Sequence, residues 1–146
     1  MSLDAQLIDI LLVEDSEDDV ELTRAAFEDA QVANRLFVAP HGEAAMAFVR
    51  QQAPYTDVPR PDLILLDLNL PRKDGREVLE EIKADPDLAA IPVVILTTSS
   101  SDEDIARAYQ NHANSYIRKP VTFDGLIEAV KTLQNYWLGM VTLPSR

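Results

Sequence analysis

Residues 62–71 read "DLILLDLNLP" and place a carboxylate directly after an unbroken aliphatic run. Such runs are typical of strands in parallel sheets, where helices cover both faces of the sheet. We therefore predict a central strand at residues 63–66. Asp67 is expected at the carboxyl end of this strand, lifted out of the core toward solvent.

Four other blocks of the chain have strand character and alternate with amphipathic segments. They are ILLV at 10–13, RLFVA at 35–39, VVIL at 93–96 and SYIRK at 115–119. The segments between them carry apolar residues at helical spacing, so each predicted helix would pack one face on the sheet. The alternation predicts an α/β domain, a doubly wound five-stranded parallel sheet with helices on both faces.

The composition fits a single domain at residues 1–146 with a core at about 8–133, and it excludes several classes of function. The chain has no cysteine, so thiol catalysis and cysteine-ligated zinc are excluded. A net charge of −12 opposes binding to nucleic acid and to anionic lipid. No apolar stretch approaches the roughly 20 residues that cross a bilayer, and no secretion signal is evident, so we expect a cytoplasmic protein.

Polar side chains follow the predicted strands at the edge where open parallel sheets bind ligands. They are Glu14 and Asp15 after the first strand, Asp67 after the third, Thr97 after the fourth and Lys119 after the fifth. Each residue alone has a structural explanation, such as capping of the next helix. Because all of them converge on one edge of the sheet, together they indicate a functional site.

The chemistry of these side chains is coherent. Carboxylates held close together repel one another unless a cation intervenes, and oxygen ligands without histidine or cysteine suit a hard divalent ion, Mg²⁺ or Mn²⁺. A metal ion, the Lys119 charge and the Thr97 hydroxyl around one carboxylate would stabilise a phosphoryl group in transfer. Asp67 would then be a nucleophile that forms an acyl phosphate.

Four motifs resemble those of the receiver domains of two-component response regulators. They are ILLVEDSEDD from residue 10, LILLDLNLPRKDGREVLEEIK from 63, PVVILTT from 92 and YIRKP from 116. The separations of 30 residues from Asp67 to Thr97 and 22 from Thr97 to Lys119 match those of the family. The resemblance covers about residues 8–133 and implies a flavodoxin-like fold with strand order 2-1-3-4-5.

The resemblance also implies a role for each residue of the acidic cluster. Asp67 resembles the phosphoacceptor, which attacks a phosphohistidine of a sensor histidine kinase. Asp15 and Asp67 would bind Mg²⁺ together with the backbone carbonyl of Asn69, and Glu14 would contribute directly or through water. The protein would be a phosphoacceptor signalling protein that assists its own phosphorylation and dephosphorylation, rather than an enzyme.

Further roles follow from the resemblance for the last two strands. Lys119 would pair with phosphoryl oxygens, and the Lys119–Pro120 peptide bond is expected to be cis. Thr97 would move toward the phosphoryl group, and Tyr116 would change rotamer with it. Gly75 matches the loop that follows the acceptor.

A narrower similarity connects the chain with small stand-alone regulators of bacterial phytochrome kinases. It rests on the loop APYTDVPRP from residue 53, on DLNLPRKDGREVL from 67 and on the tail YWLGMVTLPSR from 136. A phytochrome is therefore the expected kinase partner. The apolar residues of the tail at 134–146 also predict a homodimer through the C-terminal face, and these residues are Trp137, Leu138, Met140, Val141 and Leu143. The alternative is that Trp137 packs on its own sheet and the tail frays.

Other acidic residues near the first strand are expected outside the site. Glu17, Asp18, Asp19 and Glu21 would favour a helix N-terminus and a solvated face. Ser99 is equally consistent with a loop role and with an influence on water access to the acyl phosphate.

Other functions stay open from the sequence. An Asp-nucleophile phosphatase would need a second acid/base carboxylate near Asp67, but Asn69 occupies the position two residues on, and no cap segment is evident. A nucleotide or flavin carrier would need a glycine-rich phosphate loop, and the chain has only 4 glycines. A phosphorylation-independent binding module is the remaining alternative. The downstream partner, or a phosphotransfer protein that receives the signal, is not named by any motif.

Overall fold

A computed structural model describes residues 7–31, 33–98, 101–120 and 122–134 of the chain. Within these ranges, strands and helices alternate. The strands are β1 (Ile8–Val13), β2 (Asn34–Ala39), β3 (Leu63–Leu66), β4 (Val93–Thr97) and β5 (Ser115–Arg118). The helices are α1 (Glu17–Asp29), α2 (Gly42–Val49), α3 (Gly75–Ala84), α4 (Asp102–Gln110) and α5 (Phe123–Leu133).

The strands form one parallel sheet in the order β2-β1-β3-β4-β5. The predicted doubly wound sheet and the strand order 2-1-3-4-5 are thus confirmed. The register aligns Val13 of β1 with Leu66 of β3, so that these two strands end side by side. The residues that follow them are therefore neighbours in space.

Side chains of each central strand alternate between two apolar layers, as the continuous aliphatic runs predicted. In β1, Ile10 and Leu12 pack with buried residues of α1 and α5. Leu11 and Val13 pack with buried residues of α2, α3 and α4 on the other face. In β1 and β4 the polar side chains, Asp9 and Thr97, lie near the strand ends.

Side chains placed just before the helices cap their N-termini and fix where each helix begins after its strand. Each cap accepts a hydrogen bond from a main-chain N–H of the first helical turn, which would otherwise lack a partner. The capping residues are Ser16, His41, Asp74, Ser101 and Thr122. Asp74 also forms a capping box with Glu77.

A network around the buried Asp9 joins three strands at their amino ends, opposite the predicted site. Asp9 of β1 is fully buried, and the guanidinium of Arg35 in β2 donates to both of its carboxylate oxygens, at 2.6 and 2.9 Å. Asp62, directly before β3, accepts a hydrogen bond from the Asp9 N–H at 2.9 Å and donates its own N–H to the Asp9 carbonyl at 2.7 Å. This network ties β1, β2 and β3 in register.

Among the described residues, no helix combines the length and the apolar character that crossing a bilayer requires. The apolar tail residues for which a dimer contact is predicted lie outside the described residues, as does Ser99.

Candidate functional site

The ends of four strands bring the predicted site residues to one edge of the sheet. Glu14 follows β1, Asp67 follows β3, and Lys119 follows β5, whereas Thr97 is the last residue of β4. The main-chain N–H groups of Glu14, Asp67 and Lys119 donate to carbonyl groups of neighbouring strands, at 3.0, 3.1 and 2.7 Å. The sheet itself therefore sets the spacing of these side chains.

Three carboxylates meet at this edge. Glu14, Asp15 and Asp67 each offer an oxygen atom, and these atoms all lie within 4.8 Å of one another. Glu14 and Asp67 are buried, whereas Asp15 is exposed, so the cluster opens to solvent on the Asp15 side. Oxygen atoms at this spacing, with a net negative charge and no histidine or cysteine, fit a hard divalent cation.

Asp67 is less open to solvent than we predicted from its place at a strand end. The residue is only 7% exposed. Its Oδ1 atom accepts the Thr97 hydroxyl hydrogen bond at 2.8 Å and the Asn69 N–H hydrogen bond at 3.1 Å. The carboxylate is therefore held rigidly by one oxygen, while the other oxygen, Oδ2, faces Lys119.

Lys119 is shared by three carboxylates. Its Nζ atom contacts Glu14 Oε1 closely, and it lies 2.9 Å from Asp19 Oδ2 and 3.3 Å from Asp67 Oδ2. Burial alone would lower the pKa of Lys119, but hydrogen bonds to Glu14 and Asp19 and the charge of Asp67 outweigh burial and raise it. Lys119 is thus a fixed positive charge beside Asp67.

Burial also acts on Glu14, whose pKa it raises above the ordinary value, although the Lys119 ammonium opposes this shift. The negative charge of Asp67 adds to the increase. Glu14 therefore carries a charge that its surroundings compensate only in part. A cation bound beside it would remove this imbalance.

Asp19 belongs to the site, although we predicted a solvated helix face for its side chain. The backbone behaves as expected, because the Asp19 N–H is capped by Ser16 in the first turn of α1 at 3.2 Å. Its carboxylate, however, turns to Lys119. The only sequence signal is that α1 begins two residues after Asp15, which directs its first turn toward the site.

Thr97 and Tyr116 lie on the same face of the sheet. Thr97 is fully buried and already bonded to Asp67. Tyr116 is aligned with Ile95 in the neighbouring strand, two residues before Thr97, and packs against the layer of α2, α3 and α4. This arrangement is compatible with the predicted coupling of the two side chains.

Gly75 brings α3 into contact with the acceptor backbone. Its N–H donates to the Leu68 carbonyl at 3.0 Å. A Cβ atom added at Gly75 would overlap the carbonyl oxygen of Asp67 and lie 2.7 Å from Cα of Leu68. The absence of a side chain therefore allows the helix to support the peptide groups that follow Asp67.

The peptide bond predicted to be cis is not cis. Among the described residues, the cis bond joins Ala53 and Pro54 in the loop before β3, and the Lys119–Pro120 bond is not of this kind. Cis and trans forms of a bond before proline differ by only about 0.5–1 kcal/mol, so local packing decides between them. The resemblance was therefore insufficient to fix this detail.

A divalent cation should stabilise the fold through the carboxylate cluster. At about ten times its dissociation constant, Mg²⁺ or Mn²⁺ is expected to add about 1.4 kcal/mol to the free energy of unfolding. Thermal unfolding with and without the ion measures this gain. Asp15→Asn removes the exposed carboxylate and should abolish most of it, whereas Glu17→Gln, a nearby exposed acid, should retain it. An undiminished gain in Asp15→Asn would show that the ion binds elsewhere.

Comparison with known proteins agrees with this geometry. The family model described as "Response regulator receiver domain" matches residues 10–131. "Response regulator Rcp1" of Synechocystis sp. is 48% identical over 136 residues, which cover 93% of this chain and 92% of the relative.

Two solved structures are similar over almost their entire length. The crystal structure of the Mn²⁺-bound form of Rcp1 has a TM-score of 0.87 and 48% identity, covering 94% of this chain and 99% of that one. The structure of the phosphorylated cyanobacterial phytochrome response regulator RcpA has a TM-score of 0.89 and 47% identity, covering 95% and 99%. The similarity therefore includes the strands that carry the site.

Proposed function

The chain belongs to the response regulator receiver domain family, and from this premise we propose that Asp67 accepts a phosphoryl group from a phosphohistidine of a sensor histidine kinase. The observation that carries the proposal is the position of Asp67, whose carboxylate lies among two acidic side chains, the Thr97 hydroxyl and the Lys119 ammonium. Two comparison proteins support the proposal: Rcp1 has been solved with Mn²⁺ bound, and RcpA has been solved in a phosphorylated state.

We infer a role for each oxygen of Asp67 from its contacts. Thr97 and the Asn69 N–H hold Oδ1, so Oδ2 is the attacking atom. The O–P bond to Oδ2 forms as the P–N bond to the kinase imidazole breaks, and the imidazole leaves with the electron pair. Lys119, which faces Oδ2, would then pair with the transferred phosphoryl oxygens.

Glu14, Asp15 and Asp67 would hold the metal ion, with the Asn69 carbonyl as a further ligand. We assign the site to Mg²⁺, because its oxygen-only ligands suit that ion and leave positions for water and phosphoryl oxygens. A bound ion would supply positive charge that offsets the charge of the phosphoryl group. Lys119 and the ion would then share the neutralisation of the cluster.

We propose a phosphoacceptor rather than an enzyme, and labelling of the protein tests this. Acetyl phosphate and Mg²⁺ should add one phosphoryl group per chain, seen by mass spectrometry and removed by hydroxylamine, which cleaves acyl phosphates. Multiple turnover of a small phosphate ester would support the phosphatase alternative. Complete lack of labelling would leave the phosphorylation-independent binding module.

Thr97 and Tyr116 are proposed to couple phosphorylation to a change of conformation. In Thr97→Ala and Tyr116→Ala we expect Asp67 to be labelled while the accompanying change in amide hydrogen exchange of α4 and β5 is largely lost, because the hydroxyl or the ring that responds is missing. Thr98→Ala, which alters an exposed neighbour, should behave as wild type. If both variants kept the full exchange response, the coupling would be wrong even with Asp67 correctly assigned.

A phytochrome is the proposed kinase partner, because RcpA is described as a phytochrome response regulator and is 47% identical. Phosphotransfer from a purified phytochrome kinase, under red and far-red light, tests it. The homodimer and the cytoplasmic location stay predictions. Light scattering with and without acetyl phosphate would decide whether the protein is a dimer in solution.

A further inference from the structure

Arg76 connects three separate segments around the acceptor loop. Its guanidinium forms a bidentate ion pair with the carboxylate of Asp104 in the first turn of α4, with N–O distances of 2.8 and 2.7 Å. Its Nη1 atom lies 3.1 Å from both carboxylate oxygens of Asp74 and 3.3 Å from the carbonyl oxygen of Leu68. The side chains of Arg76 and Asp104 are only 22% and 13% exposed, so solvent screens this pair little.

The Leu68 carbonyl is one end of a peptide group whose other end supports Asp67. This peptide unit joins Leu68 to Asn69, and the Asn69 N–H donates to Asp67 Oδ1 at 3.1 Å. The carbonyl end is held by the Gly75 N–H and by Arg76. A positive charge at the carbonyl polarises the peptide group and strengthens its N–H as a donor.

Resting on the function proposed above, we infer that Arg76 is a positioning residue that links the placement of α4 to the Asp67 carboxylate. The link runs from Asp104 through the guanidinium to the Leu68–Asn69 peptide group, and from its N–H to Asp67 Oδ1. The Leu68–Asn69 peptide group carries the effect, because Arg76 contacts its carbonyl and its N–H contacts the acceptor carboxylate.

The position of α4 matters because the same oxygen of Asp67 is also bonded to β4. Thr97 ends β4 and donates to Oδ1, and α4 begins shortly afterwards at Asp102. Asp67 Oδ1 is thus connected to both elements. Thr97 of β4 contacts it directly, and Asp104 of α4 is connected to it through Arg76 and the Leu68–Asn69 peptide group. A phosphoryl group on Oδ2 would turn Oδ1 into a carbonyl oxygen with less negative charge, and both hydrogen bonds to Oδ1 would weaken together. The coupling is reciprocal, so a change at α4 would also alter the acceptor.

A second ion pair between the same helices provides a matched control. Arg107 of α4 and Glu80 of α3 lie 3.0 Å apart, with side chains 49% and 41% exposed. This pair joins α3 to α4 and makes no described hydrogen bond to the acceptor loop. Loss of a general α3–α4 attachment and loss of the Arg76 link can therefore be separated.

The first measurement uses the metal-free, unphosphorylated protein and follows the Asn69 amide by NMR. In Arg76→Gln and in Asp104→Ala we expect the Asn69 amide to exchange about fivefold faster and to shift its resonance, while Arg107→Gln leaves it unchanged. Asp104→Ala is the sharper variant, since it leaves the Arg76 side chain and its hydrogen bond to the Leu68 carbonyl in place. It also carries the test if Arg76→Gln fails to fold.

The second measurement is the rate of labelling by acetyl phosphate and Mg²⁺. Arg76→Gln and Asp104→Ala should each be about fivefold slower than wild type, and the double variant should be no slower than either single one, because the residues act in one link. Arg76→Lys, which can reach only one of the two partners, should restore part of the rate. Arg107→Gln should label at the wild-type rate.

The outcomes separate this inference from the function it rests on. An unchanged Asn69 amide in both variants overturns the link, and so does an altered amide with a wild-type labelling rate. Equal slowing by Arg107→Gln overturns it as well, because loss of any ion pair between α3 and α4 would then slow labelling. If the wild-type protein takes up no phosphoryl group, the proposed function fails, whereas the Asn69 measurement still tests the link because it uses the unphosphorylated protein.

Discussion

Asp67→Asn is expected to take up no phosphoryl group from acetyl phosphate or from a kinase. The amide has almost the same shape and keeps an oxygen that can accept from Thr97 and the Asn69 N–H, but it is not a nucleophile. The rate of labelling should fall on the order of 10⁴-fold or more. Quantitative mass spectrometry of the intact protein, at several acetyl phosphate concentrations, measures it.

Asp19→Asn is the matched control for this variant. Asp19 bonds the same lysine nitrogen as Asp67 but is not placed to attack, so its variant should still be labelled once per chain. If Asp67→Asn were still labelled once per chain, the assignment of Asp67 as the acceptor would be wrong. A comparable loss in Asp19→Asn would mean instead that the charge balance around Lys119 governs the reaction.

Gly75→Ala is expected to lower the free energy of unfolding by about 2–3 kcal/mol, although alanine favours helices. The new Cβ would overlap the Asp67 carbonyl, and backbone atoms of a central strand end cannot move aside as a flexible side chain can. Displacement of the Asp67 backbone should also slow labelling. Urea unfolding measures the first effect, and acetyl phosphate labelling measures the second.

Gly125→Ala offers the comparison, because it lies in the first turn of α5, where an added Cβ would meet side-chain atoms of Pro120 and Thr122. Its free energy of unfolding should stay within about 1 kcal/mol of the wild-type value, since the gain in helix propensity offsets the closer contact. If Gly75→Ala were as stable and as readily labelled as Gly125→Ala, α3 would not be seated on the acceptor loop as described.

The strands were predictable because parallel strands buried on both faces admit few polar residues. The run at 63–66 coincides with β3, and the weaker blocks at 35–39 and 115–119 match β2 and β5 within one residue. Hydrophobic periodicity does not encode which strands are neighbours. The order of the strands therefore came from the resemblance to a family, whose motifs are local in sequence.

The carboxylate cluster was predictable for a related reason, since parallel strands deliver their last residues to one edge. Contacts made by long side chains are not predicted by any pattern of neighbouring residues in the sequence. Asp19 reaches a lysine 100 residues away, and Arg76 reaches an aspartate 28 residues away. Rotamers and packing decide these pairs, and neither produces a short pattern in the chain.

Redesign of the acidic edge need not disturb the order of the strands, because Asp9, Arg35 and Asp62 join β1, β2 and β3 at the opposite end of the sheet. The carboxylates could be exchanged for ligands of another metal ion while the network at the opposite end keeps the three strands in register. Natural descendants of such a chain have the same freedom.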